Sequence, residues 1–217
     1  MLLALPTQHG AGAILFGDYW DLDNLHETIH SLVENSPLNE GLQETVLGLA
    51  YDIRHAYQRD REEKEFGNDE YDTVVYRGVK ILWPILLFQM SLLRYSASYK
   101  PTTKEQQANL YRLESCVEKA LLEYDDNAGR RCIEWLNSVP FVTQNYLSNY
   151  VPEIAYRFIE GSTGKRRFKK LPVLLRQFSV MSDKYKEFEK QITEMAKEKN
   201  CHPQELEIVR DWQEIDW

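Results

Sequence analysis

Residues Thr73–Tyr99 read TVVYRGVKILWPILLFQMSLLRYSASY, the most apolar stretch of a 217-residue chain. Val74–Leu82 is rich in β-branched residues and reads as a strand. Trp83 stands before Pro84. Proline disfavours α geometry at the residue before it and suits the first turn of a helix, so the strand should hand over to a helix here. That helix carries Ile85, Leu86, Leu87, Phe88, Met90, Leu92 and Leu93, which spread around most of its circumference. Such a helix is expected to be buried on nearly every side. The apolar run Ile81–Leu93 contains Gln89 and is bounded by Lys80 and Arg94. It is well short of the ~20 residues that a membrane span needs. The stretch reads as core, with no membrane association.

The rest of the chain reads as cover for this hub. Residues 11–19 form a second strand able to pair with 74–82 in a small antiparallel sheet, and Leu2–Leu5 is a candidate third. Asp21 or Asp23 is positioned to cap a helix ending near Val33, on which Leu22, Leu25, Ile29 and Val33 make one apolar stripe. A second helix is expected from Leu42 to about Arg61, buried along Leu42, Val46, Leu49, Ile53 and Tyr57. The charged segment 59–72 reads as a solvated loop. Beyond Pro101, Thr102 and Glu105 fit a capping box. The following helix is interrupted at 125–129 and resumes from Arg130 to Val139. Pro140 and Pro152 are expected to break two aromatic-rich segments, and GSTGKRRFKK (161–170) reads as a basic loop. Pro172 opens a short apolar helix. A charged amphipathic helix then ends near Asn200, and Pro203 starts a last one. The fold class is therefore α+β and predominantly helical, with the sheet followed by an all-helical C-terminal half. One domain over 1–217 is expected, with a soft division into 1–100 and 101–217.

Composition narrows the function classes. The chain is 43% hydrophobic and 28% charged, as a globular protein should be. Its formal net charge of −8 disfavours general binding to nucleic-acid phosphates. Residues 1–110 hold 16 acids against 9 bases, whereas 111–217 hold 18 against 17, so the N-terminal half is the acidic one. Cys116, Cys132 and Cys201 have no metal-type spacing and suggest free thiols in a reducing compartment, with cytoplasm as the expected location.

The sharpest chemical motif is His26-Glu27-Thr28-Ile29-His30, which matches H-E-x-x-H. On a helix, positions i and i+4 put both imidazoles on one face to hold zinc, with Glu27 as general base. The five residues resemble the active helix of zincin metalloproteases. No H-x-x-G-x-x-H extension follows, however, and no third ligand is marked. The plainer reading has both histidines flanking an amphipathic stripe and bonding locally. Asp52 and His55 are three apart, so the carboxylate could orient the imidazole as a base. A surface hydrogen bond is the simpler expectation, and no nucleophile signature accompanies the pair. The GSTGK segment fails as a phosphate loop, because Ile159 stands at the first glycine and Arg166 at the magnesium-binding hydroxyl. Lys165, Arg166, Arg167, Lys169 and Lys170 form the one basic cluster, a candidate partner site or a solvated loop. Trp212 and Trp217 belong to an aromatic tail suited to packing on the core or to binding a partner.

The segments GDYWDLDNLHETIH, LAYDIRHAYQ and YRGVKILWP resemble a family of bacterial proteins grouped as a domain of unknown function, over roughly residues 11–95. The resemblance implies a small bacterial cytosolic protein and no particular activity. The leading expectation is a non-catalytic protein-binding module of regulatory, inhibitor or immunity type. It would need no cofactor, and would act on another protein or by self-association. The alternative is a zinc-dependent hydrolase using His26, Glu27 and His30.

Overall fold

The computed structural model describes residues 1–34, 36–67, 73–138, 146–206, 212 and 214–217. Strands β1 (Leu3–Pro6), β2 (Gly12–Gly17), β3 (Glu62–Phe66) and β4 (Val74–Leu82) form one antiparallel sheet in the order β1-β2-β4-β3. In the β2–β4 register, Leu15 lies opposite Val79 and Ala13 opposite Ile81. Successive side chains of a strand alternate between faces. These four therefore share the face that joins the core, while Phe16 lies on the other with Phe66, 5.9 Å away edge-to-face. Gly78 has no side chain because of that ring: a Cβ there would lie 2.4 Å from Phe16.

β4 runs directly into α3 (Trp83–Ala97), with Pro84 in its first turn. All but four of its residues are buried. It touches β2 and β4, and also the helices α1 (Tyr19–Val33), α2 (Glu40–Tyr57), α4 (Lys104–Tyr124), α6 (Leu147–Ile159) and α8 (Leu171–Arg176). α5 (Asp126–Ser138) packs on α4 and α8, the short α7 is Gly164–Phe168, and α9 is Asp183–Lys199. The buried apolar residues of both chain halves form one cluster running from Leu2 to Leu206. Polar ties cross it. Gln89 Nε2 donates to the Thr45 carbonyl at 2.9 Å, joining α3 to α2, and Asn109 Nδ2 donates to Thr28 Oγ1 at 2.9 Å, joining α4 to α1.

Several local expectations are corrected. α1 is capped by Asp18, with Asp21 as the reciprocal partner of the capping box. Asp18 stands just before the helix with the extended backbone that an N-cap requires, whereas Asp21 and Asp23 already lie inside it. α4 is likewise capped by Thr103 with Gln106, one residue after the Thr102 and Glu105 pair. α2 stops at Tyr57, and Arg59 then takes a left-handed φ of 73° that turns the chain back. Within the charged segment 59–72, expected as a loop, Glu62–Phe66 form strand β3, and residues 68–72 lie outside the described residues. Glu62 and Glu63 of this strand face Lys80 and Arg77 of β4 at 2.8 and 3.8 Å. Charges on an outer strand discourage pairing with other chains. The interruption after α4 is Asp125 alone, Pro152 sits inside α6, and the basic segment contains α7. Pro203 opens a single 3₁₀ turn, Pro203–Glu205. Pro140 and Val139 lie outside the described residues.

Candidate surface on helices one and two

α1 and α2 pack against each other and on α3, and their outer side carries the predicted histidines. Burial of Leu22, Leu25, Ile29, Leu32 and Val33 points α1's apolar stripe inward. The same helical period turns Tyr19, Trp20, Asp23, Glu27 and His30 outward or to the boundary. Tyr57, from the last turn of α2, lies 5.5 Å from Tyr19 and 5.9 Å from His26, both edge-to-face. Trp20 packs edge-to-face on Tyr19 at 5.2 Å, and His26 lies 4.5 Å from His30. The result is a continuous run of five rings, Trp20–Tyr19–Tyr57–His26–His30. Trp20 at its end is 69% exposed.

Acids outnumber bases on the two helices themselves, although Arg77 of β4 reaches in to donate to the Tyr57 carbonyl at 2.9 Å and the Met1 ammonium pairs with Asp21. α1 carries Asp21, Asp23 and Glu27 and no Lys or Arg, while α2 carries Glu40, Glu44 and Asp52 against Arg54 alone. The effect reaches Tyr57. Burial first, and then the negative charge of Asp23, push its hydroxyl above the ordinary tyrosine range. Arg54 itself sits 5.3 Å over the Tyr51 ring, so one cation of the chain already lies on an aromatic face here.

The H-E-x-x-H residues lie together as the helix dictates. The Glu27 carboxylate is 3.4 Å from His26 Nδ1, a nitrogen that is buried and has no hydrogen-bond partner among the described residues. Burial first, and then the neighbouring His30, lower the pKa of His26 and favour its neutral form. Among the described residues no group of three or more His, Cys, Asp or Glu side chains is placed to hold a metal ion.

The Asp52–His55 pairing is corrected. His55 Nδ1 meets the Asp60 carboxylate at 2.9 Å, and Asp52 lies 3.9 Å from Arg61. The cause is the left-handed turn at Arg59. It sends the Asp60 N–H to the His55 carbonyl at 3.0 Å and brings the Asp60 side chain beside the ring. Asp52 is left with a carboxyl whose pKa is raised by burial, against a smaller opposing effect of Arg61. A carboxyl raised in the folded state stabilises least at pH above its folded pKa. Asp52→Asn is therefore expected to raise the denaturation midpoint at pH 7. The gain should vanish in acid, below the unfolded-state pKa near 3.8, where the carboxyl is protonated in both states. Chemical denaturation of both proteins at pH 7 and pH 3 measures the difference.

The basic cluster divides in two. Lys165, Arg166 and Lys169 are exposed and Lys170 is half-buried, but Arg167 is only 3% exposed. Its Nε donates to the Ser162 carbonyl at 2.7 Å and its Nη1 to the Asp216 carbonyl at 2.7 Å, so it holds the C-terminal residues to the body. Trp217 packs partly buried on the core, whereas Trp212 is 44% exposed and lies 6.3 Å from Tyr156. Cys116, Cys132 and Cys201 are free, and burial pushes the first two thiols up to about 12, which makes them poor nucleophiles. Among the described residues no helix is long and apolar enough to cross a membrane.

A predominantly helical α+β frame with a small open sheet, carrying an acidic aromatic surface on its first two helices, is the class that these observations define. The chain belongs to the family described as a domain of unknown function (DUF6904), whose family model matches residues 2–217. The match extends the resemblance seen over 11–95 to almost the entire sequence. No curated protein and no solved structure matches the chain.

Proposed function

We propose that this protein is a non-catalytic binding module of a bacterial cytosol, acting as a regulator, inhibitor or immunity-type partner. It docks an arginine- or lysine-bearing segment of another protein on the outer side of α1 and α2. The observation that carries this reading is the run Trp20–Tyr19–Tyr57–His26–His30, exposed at Trp20, Tyr19 and His30 and half-buried at Tyr57 and His26, set among Asp23 and Glu27. Aromatic side chains are favoured anchors of protein interfaces, because they cover much area at little cost in side-chain freedom. A guanidinium or ammonium group gains twice on such a surface, from ring faces and from the neighbouring carboxylates. Three free cysteines agree with a reducing compartment.

Selection of peptides from a random-sequence display library on the untagged protein tests the proposal. Peptides that survive competition should be enriched in Arg and Lys next to an apolar residue, and should release at high salt, since exposed charge pairs are screened there. Enrichment of acidic or uncharged peptides would defeat the proposal. So would basic peptides that bind a Glu27→Arg variant as well as they bind the unaltered protein.

A further inference from the structure

Outside any docking role, the two imidazoles of α1 are arranged to share a ligand. His26 and His30 are one helical turn apart with ring centres 4.5 Å from each other. A metal bonded to imidazole nitrogen sits at ~2 Å, so both rings can reach one ion between them. His26 Nδ1 is turned inward, 3.4 Å from Glu27 Oε1. The two are not aligned for a hydrogen bond, but the negative charge beside Nδ1 still favours the tautomer with the proton on that nitrogen, which leaves the lone pair of Nε2 for a metal. His30 is exposed, and the adjoining carboxylates Asp23 and Glu27 favour a cation over an anion.

We propose that His26 and His30 form a two-imidazole site for one divalent transition-metal ion, with Glu27 as the positioning residue whose charge holds the His26 ring in its ligating tautomer. Two neutral nitrogen ligands with open positions suit the borderline ions, copper(II) above nickel(II) and zinc(II) in the usual order of affinity. Glu27 acts through His26 in this arrangement, which differs from the zincin pattern, where it would serve water as a base.

Titration of the untagged, chelator-stripped protein with copper(II), nickel(II) and zinc(II) chloride near neutral pH, read by calorimetry and electron paramagnetic resonance, tests the site. One copper(II) per chain is expected, with nitrogen hyperfine structure from two imidazoles. His30→Ala changes an exposed side chain and should keep the fold, as circular dichroism will verify. It should weaken copper(II) binding at least ~10-fold, because one of two ligands is lost. Glu27→Gln should weaken it ~10-fold through loss of the carboxylate charge beside His26 Nδ1. His55→Ala, which alters the ring paired with Asp60, should leave it within twofold. Copper(II) affinity of His30→Ala within twofold of the unaltered protein would overturn the site, as would a spectrum that is unchanged in that variant. Retained affinity in Glu27→Gln would overturn the positioning role.

Discussion

Phe88→Ala is expected to lower the free energy of unfolding by about 3–5 kcal/mol. Phe88 is fully buried in the middle of α3 and stacks on Phe178 with ring centres 4.6 Å apart and planes 26° from parallel. Phe178 is in turn 6.2 Å from Tyr150 and 6.0 Å from Trp135, and Tyr150 lies 4.7 Å from Phe188. The Phe88 ring thus joins the hub helix to the aromatic side chains of α5, α6 and α9. Truncation removes the transfer energy of the ring and leaves a hole walled by other rigid rings. Such walls collapse poorly, which places the cost in the upper range for this substitution. For a chain of this size the midpoint of thermal unfolding should fall by roughly 2–4 °C per kcal/mol. Val173→Ala, at an exposed position of α8, is the control, with an expected change within about 0.5 kcal/mol. Equal effects of the two substitutions would show that α3 is not the centre of the core.

Trp20→Ala is expected to weaken binding of cationic peptides by about 2 kcal/mol, ~30-fold, with stability altered by no more than about 0.5 kcal/mol. The two effects separate because Trp20 is mostly exposed and its ring packs on the edge of Tyr19. Little packing is lost in the free protein, whereas a partner that covers the indole loses a large anchor. Isothermal titration with a selected peptide gives the first number and chemical denaturation the second. A large loss of stability with unchanged affinity would assign Trp20 to the fold and remove it from the docking surface.

The strand-to-helix join was legible because composition and proline position agree: Val74–Leu82 emerges as a strand with the bounds read from the residues, and the helix begins at Trp83 beside Pro84. Strand β3 was not legible. EEKEF has no alternation of apolar and polar residues, and its strand state depends on pairing to Val74–Gly78 and on charge partners across the sheet. Helix ends were ambiguous by one position where two candidate caps adjoin, as at Thr102 and Thr103. Pro152 shows tertiary packing overriding a local penalty, since Val151, Ile154 and Ala155 around it are all buried. For the surface, spacing within α1 disclosed the His26–His30 pair. Tyr57 is far from Tyr19 in sequence, and only the packing of α1 on α2 brings the two rings together. The Asp52–His55 expectation failed because helical spacing carries no information about the turn beyond the helix end, where a left-handed residue at Arg59 delivers a better-placed carboxylate.

Hydrogen–deuterium exchange of the full chain, with and without the tightest selected cationic peptide, tests the central claim most directly. Protection confined to the outer side of α1 between Tyr19 and His30 and to the end of α2 near Tyr57 is the predicted footprint. Protection centred instead on the basic turn at Lys165–Lys170, or around Trp212, with α1 unchanged, would contradict it.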